Sequence, residues 1–119
     1  MTNKKGNGKP KKSLSGRSCR IKGHSFERAM AKQFRELYGE GVKRGYQTRS
    51  GSEAPDVDGT PFWIECKRGK RTNLRGALRQ ALAAKDDRPP IAICKDDRQD
   101  IMVLLLLDDF LDILKGQIK

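Results

Sequence analysis

Histidine is almost missing from this chain: His24 is the only one among 119 residues. That excludes zinc hydrolases with several histidine ligands and nucleases built on a histidine pair. Cysteine is scarce too. Cys19, Cys66 and Cys94 are an odd count with no close pairs, so neither a disulfide framework nor a zinc knuckle is expected. Such thiols fit a reduced, intracellular setting. The longest apolar run, Ile101 to Leu107, is far too short to span a bilayer, so no membrane partner is expected. No apolar segment follows the first basic residues, which argues against a secretory signal. Aromatics are few and barely interleaved with basic residues, so base stacking on single strands is not signalled.

Negative charge is absent from residues 1–23, which hold Lys4, Lys5, Lys9, Lys11, Lys12, Arg17, Arg20 and Lys22. The whole chain carries +11, which points to a polyanionic partner. Eight of the 26 basic residues and none of the 15 acids lie in that first stretch, so the remainder is only mildly basic at +3. Rich in Gly, Ser, Asn and Lys, residues 1–22 read as a disordered basic arm preceding one domain at 23–119. Such an arm adds non-specific, salt-dependent affinity for phosphates, or serves only as a solubilising tail.

Within the domain, Ser25 is placed to cap a helix running to about Tyr38, with Phe26, Met30, Phe34, Leu37 and Tyr38 on its buried face. Val42 to Arg49 reads as a strand interrupted by Gly45. Asp56-Val57 and Phe62–Lys67 read as a hairpin around Asp58-Gly59. Thr72 or Asn73 caps a second helix with Leu74, Ala77, Leu78, Ala81 and Leu82 inward. Ile91–Cys94 and Ile101–Leu107 are unbroken apolar runs, the pattern of strands buried on both faces. Asp108 then caps a short last helix. The order α-β-β-β-α-β-β-α makes an α/β fold with a mixed central sheet flanked by helices.

The chemistry concentrates in residues 55–67. Alternation along Phe62–Lys67 puts Trp63, Glu65 and Lys67 on one face, and the turn at Asp58-Gly59 folds Asp56 back towards them. Two carboxylates and an ammonium at a strand end suit a hard divalent cation and attack on a phosphodiester. Mg²⁺ prefers oxygen ligands and keeps some waters, so Asp56, Glu65 and the backbone carbonyl of Cys66 form a sensible ligand set. Lys67 is placed to orient the attacking water and offset charge on the phosphorane. Asp58 is the competing acid and reads as the turn residue. Glu-x-Lys by itself also describes a solvated, salt-bridging strand face. Arg68, Lys70, Arg71, Arg75 and Arg79 follow directly, a basic cluster that phosphate contacts would run past the metal.

Pro55-Asp56 followed by Glu65-Cys66-Lys67 resembles the signature of the PD-(D/E)xK nuclease superfamily, and looks closest to archaeal and phage-type Holliday junction resolvases. Gly23-His24-Ser25-Phe26-Glu27 has the form of the Gly-x-x-x-Glu segment opening their first helix. The resemblance covers roughly residues 23–110 and implies a restriction-endonuclease-like fold. It implies metal-dependent hydrolysis leaving a 5′-phosphate, with Mg²⁺ as the ion and Mn²⁺ as its substitute. It adds Glu27 to the metal site, Gln80 to the catalytic residues, and Arg49, Ser50 and Ser52 to the DNA contacts. Without it, Glu27 is a first-turn carboxylate favoured by the helix dipole, and Gln80 an exposed helix former. The implied substrate is a branched double-stranded DNA, the four-way junction, and the implied assembly a homodimer whose paired sites match the junction's two symmetry-related strands. The implied setting is the cytoplasm of a phage's host. Rival readings are a nuclease of the same superfamily acting on duplexes or flaps, a non-catalytic basic nucleic-acid-binding protein, and an RNA-associated protein.

Overall fold

A computed structural model describes residues 16–46 and 53–118. Three helices and five strands run in the order α1 (Gly16–Tyr38), β1 (Lys43–Arg44), β2 (Val57–Asp58), β3 (Trp63–Gly69), α2 (Leu74–Ala84), β4 (Pro90–Asp96), β5 (Met102–Leu104) and α3 (Leu107–Leu114). The strands form one mixed sheet in sequence order, β1-β2-β3-β4-β5. β3 and β4 pair in parallel and the other neighbours antiparallel. A parallel pair needs a crossover, and α2 provides it. The result is the α/β architecture expected, consistent with a restriction-endonuclease-like fold.

Period-2 alternation divides the sheet's two faces. Phe62, Ile64 and Cys66 from the β3 segment, with Ile91 and Ile93, pack against Phe26, Met30 and Ala31 of α1. On the other face Ala92 and Cys94 pack against Ala77 and Leu78 of α2. Asn73 caps α2, its side-chain oxygen accepting from the Gly76 N–H at 2.9 Å. At the Asp58-Gly59 turn, Gly59 takes φ +91, a conformation that glycine adopts without a Cβ clash. Asp58 accepts from the Gly59 N–H and from Arg88, both at 2.9 Å, and the Arg88 guanidinium lies over the Trp63 ring. Asp58 is therefore tied to the turn and its ion pair, the role its sequence context suggested.

Several sequence expectations need correction. α1 begins at Gly16, so Ser25 lies mid-helix and caps nothing, and residues 16–22, read from composition as arm, are helical. Arg, Lys and Ile are adequate helix formers, and a single interior glycine, Gly23, costs only about 1 kcal/mol. Residues 1–15 lie outside the described part. Leu37, Tyr38 and Leu82, expected inside, are exposed at the ends of their helices. The first strand spans only Lys43–Arg44; residues 47–52 lie outside the described part. Of the run Ile101–Leu107 only Met102–Leu104 is strand, and it is the sheet's edge, with Met102 52% and Val103 53% exposed. Leu106, not Asp108, occupies the N-cap position of α3; Asp108 and Asp109 sit in its first turn, where the helix dipole favours acids. Cys66 and Cys94 are free, buried thiols. Among the described residues no helix is long and apolar enough to cross a membrane.

Candidate active site

The β2–β3 hairpin builds the centre of the site. Asp56 precedes β2, its N–H donating to the Ile64 carbonyl at 2.8 Å, while Val57 pairs with Ile64. That register swings the Asp56 carboxylate onto β3, where Oδ2 accepts from the Cys66 N–H at 2.8 Å. Its neighbour Glu65 is 7% exposed and meets Lys67, Nζ to Oε2 at 3.3 Å. Strand alternation makes Glu65 and Lys67 companions, as the sequence required. Asp56 lies on their side of the hairpin, near enough for its charge to act on Glu65.

Gly45 holds this arrangement from the β1 side. Its N–H donates to the Asp56 carbonyl at 2.9 Å, and a Cβ on Gly45 would run into the Pro55 carbonyl oxygen. The glycine that interrupts the strand pattern is thus the residue that lets β1 pass over Pro55-Asp56. Next to it, Arg44 Nε donates to Glu27 Oε1 at 2.9 Å, an ion pair across the gap between β1 and α1.

These acids are dehydrated and crowd one another. Burial pushes Glu65 up to about 7, with repulsion from Asp56 adding to it and Lys67 opposing it. Burial also raises Asp56, against the Cys66 N–H, Lys67 and the Glu65 hydrogen bond. Glu27 is raised by burial and by Asp56, against Arg44 and Lys67. Mutual repulsion places all three acids in one electrostatic neighbourhood, with Lys67 and Arg44 as the cations nearest them.

Among the described residues, no group of three or more His, Cys, Asp or Glu side chains is gathered so as to hold a metal ion. Glu27 is drawn to Arg44, and the contact Cys66 makes here is its amide donation to Asp56. The acids that share the same side of the hairpin are Asp56 and Glu65. Two hard oxygen donors short of compensating positive charge fit a divalent cation that retains several waters. The Cys66 thiol points into the α1-side core and is not a donor for it.

Gln80, on α2, lines an open cleft of about 430 Å³ together with Lys67, Arg68 and Arg71. The structure thus puts Gln80 and Lys67 on one cavity. Lys70, Arg71, Arg75 and Arg79 are exposed and Arg68 is half-buried. Arg49, Ser50 and Ser52, expected to contact DNA, lie outside the described residues. Sequence reasoning assigned no role to Arg44 or Gly45. The signal for both was the position of a basic residue and a glycine on the strand beside Pro55-Asp56, legible only once the pairing was known.

No curated protein and no solved structure matches the chain. One protein family, described as "Phage putative PDDEXK endonuclease", matches residues 18–119. That span takes in all of α1 but its first two residues, the whole sheet and the Asp56, Glu65 and Lys67 constellation. The chain therefore belongs to this phage PDDEXK endonuclease family, a family of nucleases within the PD-(D/E)xK superfamily.

Proposed function

We propose that the protein is a Mg²⁺-dependent endonuclease that cuts four-way DNA junctions as a homodimer, leaving 5′-phosphates. The observation that carries the reading is the Asp56 carboxylate held on the Cys66 amide next to Glu65, which pairs with Lys67. In this reading Asp56, Glu65 and the Cys66 carbonyl hold the ion, with Glu27 joining once it leaves Arg44, and Mn²⁺ serves as a substitute. When bound, the ion supplies Lewis-acid polarisation of a phosphoryl oxygen and a more acidic water. The chain's own part is electrostatic and positional. Lys67, 40% exposed at the cleft it shares with Gln80, faces the phosphate and offsets the charge that develops on it. Gln80 orients the attacking water. Arg68, Lys70, Arg71, Arg75 and Arg79 hold the backbone of the duplex arms.

The dimer is supported by an exposed edge strand and by exposed apolar side chains on α3. β5 is an edge strand, and Met102, Val103, Leu107, Phe110 and Leu114 are each at least 45% exposed along it and α3. An exposed edge strand is a surface that a second copy covers by two-fold self-pairing.

A labelled four-way junction, a flap and a linear duplex of one sequence, incubated with Mg²⁺ or EDTA, test the reading. Cutting is expected only with the metal and fastest on the junction. Asp56→Asn and Lys67→Ala are each expected to slow cutting by at least ~100-fold while junction binding survives. Equal cutting of all three substrates would reduce the reading to a duplex or flap nuclease. No cutting of any, with DNA still bound, would leave a non-catalytic binding protein.

A further inference from the structure

We propose that the turn between β4 and β5 is a second phosphate-binding element, with Arg98 as the residue that grips the DNA backbone. The inference rests on the nuclease reading and extends its DNA track beyond the basic cluster that follows β3.

Arg98 takes φ +65 and is the one non-glycine residue with positive φ among those described. A glycine or asparagine would adopt that conformation more readily, so an arginine here keeps its side chain against a conformational cost. The turn around it is held on several sides. The Asp97 N–H donates to the Gly69 carbonyl at 2.9 Å, and Arg68 Nη1 donates to Asp97 Oδ1 at 3.2 Å. Asp96 Oδ1 accepts from both the N–H and the hydroxyl of Thr72, at 2.8 and 2.6 Å. Lys95 Nζ donates to the Gln99 carbonyl at 2.9 Å. Asp96 and Asp97 are thus engaged by neighbours, and among the described residues the Arg98 guanidinium has no hydrogen-bond or ion-pair partner.

What Arg98 faces is an open cleft of about 460 Å³ that it lines with Arg68, Lys70 and Asp97. Arg68 lines this cleft and also the one containing Lys67 and Gln80. β3 and β4 run in parallel, with Gly69 opposite Asp96, so the turn sits at the same end of the sheet as the residues following Lys67. One basic path therefore leads from Lys67 across Arg68 to Arg98. Three cations against one acid, and that acid already paired with Arg68, suit a phosphodiester backbone. A rigid turn presenting a fork-shaped guanidinium positions a phosphate with little ordering cost at binding.

Binding of a four-way junction and of a linear duplex, measured by anisotropy in EDTA over a salt series, tests this on the full chain. Arg98→Gly and Arg98→Asn are expected to bind about tenfold more weakly, with the log affinity–log salt slope shallower by about 0.9. Both are expected to melt at or above the wild-type temperature, since the backbone conformation is eased. Arg98→Lys is expected to keep most of the salt slope. Affinity and slope unchanged in Arg98→Gly and Arg98→Asn would overturn the proposal, whatever the melting temperatures. If wild-type protein binds and cuts while these variants match it, only the role of Arg98 falls. Wild-type protein with no salt-dependent affinity for either DNA would sink the nuclease reading as well.

Discussion

Glu65 is buried, sits beside a second carboxylate, and has a single ammonium near it. Unfolded, it titrates near 4.5; folded, it is pushed up to about 7. Between those values the unfolded chain releases a proton that the folded chain keeps. The stability this group contributes is fully present below about 4.5 and is lost as pH rises through about 7. Glu27 and Asp56 are raised as well and act in the same direction. The melting temperature of EDTA-treated protein is therefore expected to fall across this window, and Glu65→Gln to flatten the fall. Added Mg²⁺ is expected to raise the melting temperature more at about pH 8 than at about pH 5, because a cation binds the ionised acids. Calorimetry of both proteins checks the sign; a rise with pH in EDTA would contradict it.

At the scale of elements, the hairpin depends on its neighbour strand. A methyl group at Gly45 would collide with the Pro55 carbonyl, so Gly45→Ala must move β1 or displace Pro55-Asp56. Denaturant unfolding is expected to show a loss on the order of 2–3 kcal/mol, with cutting reduced further than folding alone explains. The sequence made the hairpin legible because alternation and Asp58-Gly59 specify it locally. It also revealed α2, whose Asn73 cap and apolar spacing agree. It concealed the start of α1, since arginine, lysine and a lone glycine look alike in a helix or an arm. It misplaced β5 because a run of apolar residues reads the same at a sheet's centre and at its edge; Met102 and Val103 are exposed. The convergence of Asp56, Glu65 and Lys67 was readable because they lie close in sequence. Arg44 and Glu27 are 17 residues apart and meet only through the packing of α1 on β1.

On the scale of the whole molecule, charge and apolarity are sorted onto different regions. Basic residues follow β3 and occupy α2, whereas β5 and α3 show exposed apolar side chains among acids. Val103→Lys and Leu107→Glu together are expected to convert a dimer to a monomer in light scattering while leaving the melting temperature within a few degrees. On a junction, the monomer is expected to nick single strands rather than release paired products. A wild-type protein that is already monomeric at micromolar concentration would remove this expectation.

The Asp56 carboxylate reaches the Cys66 amide across only ten positions of sequence. Joining two points so near in a chain is entropically mild, and lengthening such a loop adds little, about 0.6 kcal/mol per doubling. In the function proposed above, the acids and the grip on nucleic acid consequently lie on separate stretches: residues 55–67 for bond breaking, α2 and the β4–β5 turn for holding the backbone. Drift in the latter can retune substrate preference without disturbing the former.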